Sequence, residues 1–320
     1  MRVAAIDVGT NTTRLLVADV GGGGLTDVVR ESRITGLGEG VDGRRRLLPV
    51  PIARVRNCLS DYRRTLESLG AERTLAVATS AVRDAENGEA FLGEVEWSYG
   101  FTTRLLSGED EALLTFRGAS EGRELARGTL IVDIGGGSTE LVVAGPDGVA
   151  FRTSLDVGSL RLTERFLPSD PSAPDELAGC ATAIAESLEE RVPHDVRQTV
   201  TGAIGVAATI TTLAALDLEL PAYDADRVHG HLLSAPSATS QLDRLAALPL
   251  AERRLVPALE PKRAPLIVAG ASILVEVLRF FGLDGIEASE RDLLDGAVLA
   301  AAELPEPAEG DAPPGAYTCC

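Results

Sequence analysis

Hydrophobic and polar positions follow one pattern twice. From Val3 to Val17 an apolar run breaks at Asp7-Val8-Gly9-Thr10-Asn11-Thr12-Thr13 and resumes. Thr129–Val143 repeats this without a gap, breaking at Asp133-Ile134-Gly135-Gly136-Gly137-Ser138-Thr139. β-Branched runs bounded by glycine predict the two strands of a hairpin. Gly21–Gly24 and Gly145-Pro146-Asp147-Gly148 then predict a turn into a third strand in each half. After the first copy, the pattern predicts a helix over 52–69, a strand over 74–78, a short helix over 85–92, a strand over 102–106 and a helix from Glu109. After the second it predicts a helix over 174–190, a strand around Val200, a helix over 209–216, a strand over 286–288 and a helix from Arg291. Each half spells three strands and then alternating helix and strand. The expected fold class is α/β, with two duplicated lobes, each built on a mixed sheet. In open α/β sheets, ligands collect at the carboxyl ends of strands, which is where both Asp-x-Gly turns fall.

Length agrees with two lobes, since 320 residues exceed what one hydrophobic core usually serves. No apolar run approaches the roughly 18 residues of a membrane helix. Asp7 interrupts the first apolar run, so no secretion leader is expected and the expected location is cytoplasmic. The four cysteines, Cys58, Cys180, Cys319 and Cys320, show no metal-ligand spacing and suit reduced thiols. The terminal pair reads either as a lipid or redox handle or as part of a functionless tail. A net charge of −18 argues against a broad nucleic-acid surface, so an anionic ligand would need a local site.

The Asp-x-Gly turns supply such sites. Small residues after a strand let successive backbone N–H groups converge on an oxyanion without a basic side chain. Taken singly, each turn reads equally well as a tight structural hairpin, but duplication favours the anion-binding reading: Gly9, Thr10, Asn11 and Thr12 in one half, Gly135, Gly136, Gly137, Ser138 and Thr139 in the other. Facing loops would grip a phosphate chain from both sides of an expected cleft between the lobes. His194, His229 and His231 offer neither a catalytic triad order nor a third metal ligand and read as structural.

Duplicated lobes with Asp-x-Gly hairpins resemble the superfamily of actin, sugar kinases and heat-shock ATPases, built on ribonuclease H-like lobes. Within it, the chain resembles the exopolyphosphatase and guanosine pentaphosphate phosphohydrolase family, in its short form. The motifs are Ala5–Thr12, Leu37-Gly38-Glu39-Gly40, Ala78–Asn87, Leu106–Ala112, Val132–Glu140, Val228-His229-Gly230 and Ser289–Gly296. The resemblance runs from Arg2 to about residue 301. It implies hydrolysis of the terminal phosphoanhydride of polyphosphate or guanosine pentaphosphate, with Mg²⁺ as cofactor and a homodimer as a candidate assembly. It also implies that Glu111 is the catalytic carboxylate acting on water; the competing reading is a first-turn acid favoured by the helix dipole, which applies equally to Glu109 and Asp110.

Asp133 and Glu140 flank the second turn and are candidate ligands of one Mg²⁺, an ion that often takes only one or two protein carboxylates. Asp7 holds the equivalent place in lobe one, as a third ligand candidate or a cap of its own hairpin, with Arg14 where lobe two has the acid. Arg14, Arg83 and Arg263 are candidate phosphate contacts; the last two match basic family positions. Two departures stand out. Gly36 replaces a basic residue usual in the family. Ala208 replaces a glycine in Gly205-Val206-Ala207-Ala208-Thr209, where a positive φ would strain alanine. A same-fold kinase and a non-catalytic sensor of alarmone or polyphosphate are the alternatives; retention of Glu111, Asp133 and Glu140 favours the hydrolase. The expected lobes span 1–124 and 125–290, with the final helix over 291–304 packing on lobe one and a disordered tail over 305–320.

Overall fold

The computed structural model describes residues 1–22 and 24–305; the tail expected to be disordered, with Cys319 and Cys320, lies outside the described residues apart from Pro305. The chain forms two compact units, Met1–Arg123 together with the residues from Leu293, and Glu124–Asp292.

Unit one opens with β1 (Arg2–Val8), β2 (Thr12–Gly21) and β3 (Gly24–Ile34), an antiparallel meander. Then follow α1 (Val41–Arg44), α2 (Pro49–Leu69), β4 (Arg73–Ala78), α3 (Ser80–Asp84), α4 (Gly88–Tyr99), β5 (Thr102–Leu105) and α5 (Gly108–Ala119). The sheet order is β3-β2-β1-β4-β5, with β1, β4 and β5 parallel. Strand periodicity divides the core. Ala4, Ile6, Val8, Leu15 and Val17 pack with residues of α2, α3 and α4, such as Leu59, Val82 and Phe91. Val3, Ala5, Leu16 and Ala18 serve the opposite face. The expected short helix over 85–92 is two helices, broken at Ala85–Asn87. A Cβ on Gly88 would lie 1.9 Å from the Val82 carbonyl oxygen, so α4 starts against α3 only because that residue is glycine.

Unit two repeats the opening with β6 (Thr129–Ile134), β7 (Thr139–Gly145) and β8 (Gly148–Leu155). It continues through α6 (Ser159–Phe166), α7 (Pro174–Arg191), α8 (His194–Thr199), β9 (Gly202–Val206), α9 (Ala207–Asp217), α10 (Ala225–Val228), β10 (Leu232–Ser234), α11 (Ala235–Ala247), α12 (Leu250–Arg253), α13 (Ile267–Phe281) and β11 (Gly285–Ala288). Sheet order is β10-β11-β9-β6-β7-β8. The strand expected around Val200 begins at Gly202, because Val200 serves as the C-cap of α8.

The last described helix, α14 (Leu293–Ala302), belongs to unit one; Ser289–Asp292 precede it without helical structure, so it starts two residues later than expected. Leu293, Leu294, Ala297, Val298 and Ala301 cover the Val3/Ala5/Leu16/Ala18 face. Close approach to α5 requires Gly296, whose Cβ would sit 2.0 Å from the Leu114 carbonyl oxygen. Fully buried Asp295 accepts from Arg30 Nη2 at 2.6 Å. No described helix is long and apolar enough to cross a membrane.

Candidate active site

Both hairpin loops are built alike. Gly9 N–H donates to the Thr12 carbonyl at 3.0 Å, and Gly135 N–H donates to the Ser138 carbonyl at 3.0 Å. A side chain on either glycine would press on that carbonyl, at 2.9 and 3.1 Å respectively. The segment after the third strand then backs each loop. Thr35 and Gly36 N–H groups donate to Asn11 O, and Gly38 N–H to Thr10 O. In unit two, Ser159 N–H donates to Gly135 O, while Leu160 and Arg161 N–H groups donate to Gly136 O. Arg161 Nε adds a bond to Gly137 O at 2.7 Å. With the carbonyls held from behind, the N–H groups of Thr10, Asn11, Gly136 and Gly137 meet no acceptor among the described residues. Backbone donors of this kind need a partner, and an oxyanion supplies one. The loop side chains are mostly committed elsewhere: Thr10 Oγ1 accepts from Ala81 N–H at 3.2 Å, and fully buried Thr139 donates to Val157 O at 2.7 Å.

One residue pair separates the loops. Asp7 and Arg14 are opposite each other on β1 and β2, and Asp7 Oδ2 accepts from Arg14 Nε at 2.9 Å and lies 2.8 Å from Nη2. At the matching positions of β6 and β7, Asp133 opposes Glu140. Residues directly opposite share one face of the sheet, so unit two sets two carboxylates side by side, 6% and 1% exposed. Glu140 Oε1 also accepts from Ser154 Oγ at 2.7 Å, on β8. Like charges so placed destabilise a sheet, and a hard divalent cation reverses the sign; two carboxylates with water and phosphate oxygens match the preference of magnesium. Among the described residues no group of three or more His, Cys, Asp or Glu converges as a metal cluster.

The three consecutive acids at the start of α5 differ sharply in placement. Asp110 completes a capping box with Ser107, accepting from its hydroxyl at 2.6 Å while Ser107 Oγ accepts from Asp110 N–H. Glu109 is exposed. Glu111 alone turns inward, 8% exposed, with Oε2 3.4 Å from Arg83 Nη1. The same Arg83 nitrogen donates to Leu106 O at 2.9 Å, which fixes the guanidinium beside the acid. Arg263 lies in the turn preceding α13, in unit two. Of the histidines, His229 Nδ1 accepts from Glu290 N–H at 3.2 Å, and His231 Nε2 is 2.7 Å from Asp217 Oδ2.

Both sequence departures acquire a physical account. Gly36 has a φ of +60°, and a Cβ there would fall 2.2 Å from Glu39 Oε1. Arg54 of α2 reaches the same place, donating to Thr35 O at 2.6 Å and pairing with Glu39 at 2.6 Å, so a guanidinium stands beside Gly36 without being attached to it. The strained alanine is Ala207, at φ +64°; Ala208 is not among the positive-φ residues. Sequence reasoning missed Arg54, Arg161 and Gly158. Gly158 carries the loop: its Cβ would lie 2.5 Å from Gly136 and Gly137 backbone atoms.

Two mixed sheets, each led by a backed Asp-x-Gly hairpin, define an actin-like α/β protein. The chain belongs to the Ppx/GppA phosphatase family, whose model matches residues 12–304. It is 39% identical to exopolyphosphatase 2 of Mycobacterium tuberculosis over 318 residues, covering 94% of this chain and 98% of that one. A solved exopolyphosphatase-like protein superposes with a TM-score of 0.88 at 34% identity, covering 93% of this chain and 98% of the other. The Ppx/GppA family member from Aquifex aeolicus gives a TM-score of 0.80 at 31% identity, over 94% and 97% of the two chains.

Proposed function

We propose that this chain is a Mg²⁺-dependent exopolyphosphatase-type hydrolase, releasing orthophosphate from the end of inorganic polyphosphate or from guanosine pentaphosphate. Family membership supports phosphoanhydride hydrolysis. The carrying observation is Glu111, withdrawn from solvent against Arg83 while the two acids that precede it, Glu109 and Asp110, stay exposed. An acid that only served the helix dipole would need neither burial nor a guanidinium partner.

Hydrolysis here transfers the terminal phosphoryl group to water: a water oxygen bonds to phosphorus, the bridging P–O bond breaks, and one proton must leave the water. Glu111 holds that water in line and takes its proton. Arg83 keeps the carboxylate oriented. The N–H groups of Thr10 and Asn11, and of Gly136 and Gly137, receive phosphate oxygens, with Gly9, Thr12, Gly135 and Ser138 fixing the turns. Asp133 and Glu140 would hold the magnesium, which when bound supplies charge neutralisation on the phosphate oxygens. Arg14 is engaged by Asp7, so we assign the metal to the second loop and leave the first to phosphate. Arg263 is assigned to the phosphate path. The reading includes a cytoplasmic homodimer, checked by cell fractionation and light scattering. Phosphate release from polyphosphate, guanosine pentaphosphate and ATP, measured with and without Mg²⁺, tests the function: ATP consumed with its γ-phosphate on an acceptor and no orthophosphate released would mark a kinase, and binding with no turnover of any of them a sensor.

A further inference from the structure

The sequence Arg44-Arg45-Arg46 places three consecutive cations in a protein of net charge −18. All three side chains are exposed and make no ion pair or hydrogen bond with the described residues. Most other arginines of unit one are engaged, among them Arg2 with Asp19, Arg30 with Asp295, Arg56 with Glu94 and Arg117 with Glu303. The neighbouring acids Asp42 and Glu86 leave the turn net positive. Side-by-side cations repel one another, and an anion relieves that repulsion.

This turn is also firmly held. Arg44 and Arg45 N–H groups donate to Gly40 O and Val41 O, at 3.1 and 2.8 Å, and Glu86 N–H donates to Arg45 O at 2.8 Å. Buried Leu47 exchanges two hydrogen bonds with the Asn87 side chain, at 2.8 and 3.1 Å. Arg45 keeps φ at +53°, a left-handed conformation in which glycine would be relaxed. The position is fixed relative to the first hairpin loop as well. Gly38 N–H, six residues before Arg44, donates to Thr10 O, while Ala81 N–H of α3, the helix that carries Arg83, donates to Thr10 Oγ1. Six residues span at most ~22 Å and eight at most ~29 Å, so Arg44 to Arg46 stand within those distances of the loop's backing.

Resting on the phosphohydrolase reading, we propose that the Arg44–Arg46 turn is an accessory docking point for the outer part of a long inorganic polyphosphate chain whose end is bound at the first hairpin loop. Guanidinium forks suit phosphate oxygens, and on an otherwise acidic surface a fixed cluster of cations gives the polyanion one favourable path. A chain of tens of units spans those distances with phosphates to spare, whereas a substrate of a few units has little chain beyond the part held at the loop. Nucleic acid fits less well, since residues 43–50 carry no aromatic side chain on which a base could stack.

The test compares R44Q/R45Q/R46Q with a charge-matched control, R104Q/R127Q/R254Q, which removes exposed arginines elsewhere. Substrates are tripolyphosphate and long-chain polyphosphate, in a salt series, with thermal melts to verify folding. The turn variant is expected to lose about tenfold in kcat/KM on the long chain relative to tripolyphosphate, through KM, with its log–log salt dependence flattened by ~2. The control should keep the unmodified ratio. An unchanged ratio in the turn variant, or an equal loss in the control, overturns the proposal, as does loss of single-stranded DNA binding with polyphosphate kinetics intact. If the unmodified protein releases no phosphate from either substrate, the hydrolase reading fails on its own. Equilibrium binding of long-chain polyphosphate then decides the turn: a tenfold weaker turn variant sustains it, and equal affinities overturn it.

Discussion

Replacing Glu111 with glutamine keeps the side chain's size and removes its charge and nearly all its basicity. In the folded protein the carboxylate lies 3.4 Å from Arg83 Nη1, a gross attraction of roughly 5 kcal/mol at an effective dielectric constant of ~20. Desolvation cancels most of this, and Arg83 keeps its bond to Leu106 O, so the net effect on folding should be within ~1 kcal/mol. Turnover should behave differently. A positioned base contributes about 10²-fold or more, close to 2.7 kcal/mol of barrier, so kcat should fall at least that far. Affinity for a short polyphosphate should hold or improve, because a carboxylate near a polyanion is repulsive. Two neighbours provide controls: Glu109→Gln should be silent, and Asp110→Asn should cost about 0.5–1 kcal/mol of stability through its capping box while leaving kcat near wild type. If Arg83 acts by orienting Glu111, Arg83→Gln should add little once Glu111→Gln is present. Steady-state kinetics, equilibrium binding and thermal melts on this set suffice. Wild-type turnover in Glu111→Gln, or equal modest losses at all three acids, would remove Glu111 from the chemistry and strengthen the sensor alternative.

Asp133→Asn should raise the Mg²⁺ concentration for half-maximal activity by at least tenfold with folding intact, and Glu140→Gln should do so more mildly; unchanged titration curves in both would put the ion elsewhere. Gly158→Ala, which forces a Cβ to within 2.5 Å of the Gly136–Gly137 backbone, should destabilise by about 1–3 kcal/mol and lower kcat/KM together, read by denaturant melts and phosphate release. Ala207→Gly should relax the +64° φ and stabilise by up to ~1 kcal/mol, a rise of about 2–4 °C in Tm; a fall in Tm would show that the strain is not costly.

Much of the fold was legible because both hairpins advertise themselves: β-branched runs, an Asp-x-Gly break and a second run are purely local signals, and their duplication made the two-sheet α/β architecture readable. Signals failed where tertiary contacts decide. Val200 belongs by composition to a strand, yet caps α8, and α6 (Ser159–Phe166) follows Gly158, an N-cap residue with no side chain to announce it. Within the candidate site, Asp133 and Glu140 could be set opposite each other from hairpin register alone. The family resemblance singled out Glu111, but the residue pattern alone left Glu109, Asp110 and Glu111 alike, since successive helical residues differ by direction and only the surrounding packing says which direction is inward. Arg54 was hidden for the same reason: its sequence position is an ordinary helix surface, and its approach to Gly36 depends on how α2 lies against the loop after β3.

The return of α14 has a consequence for how the protein is made. Unit two is one uninterrupted stretch, Glu124–Asp292, whereas unit one needs the chain's first strands and the last described helix. On the ribosome, β1 to β5 therefore emerge with Val3, Ala5, Leu16 and Ala18 uncovered, and they wait through the whole synthesis of unit two before Leu293–Ala302 arrives to cover them. The later-synthesised unit is thus the first able to complete its own core, an inversion of the usual N-to-C order. During that interval the exposed face of the first sheet is the nascent chain's point of greatest aggregation risk, and the place where a chaperone would bind.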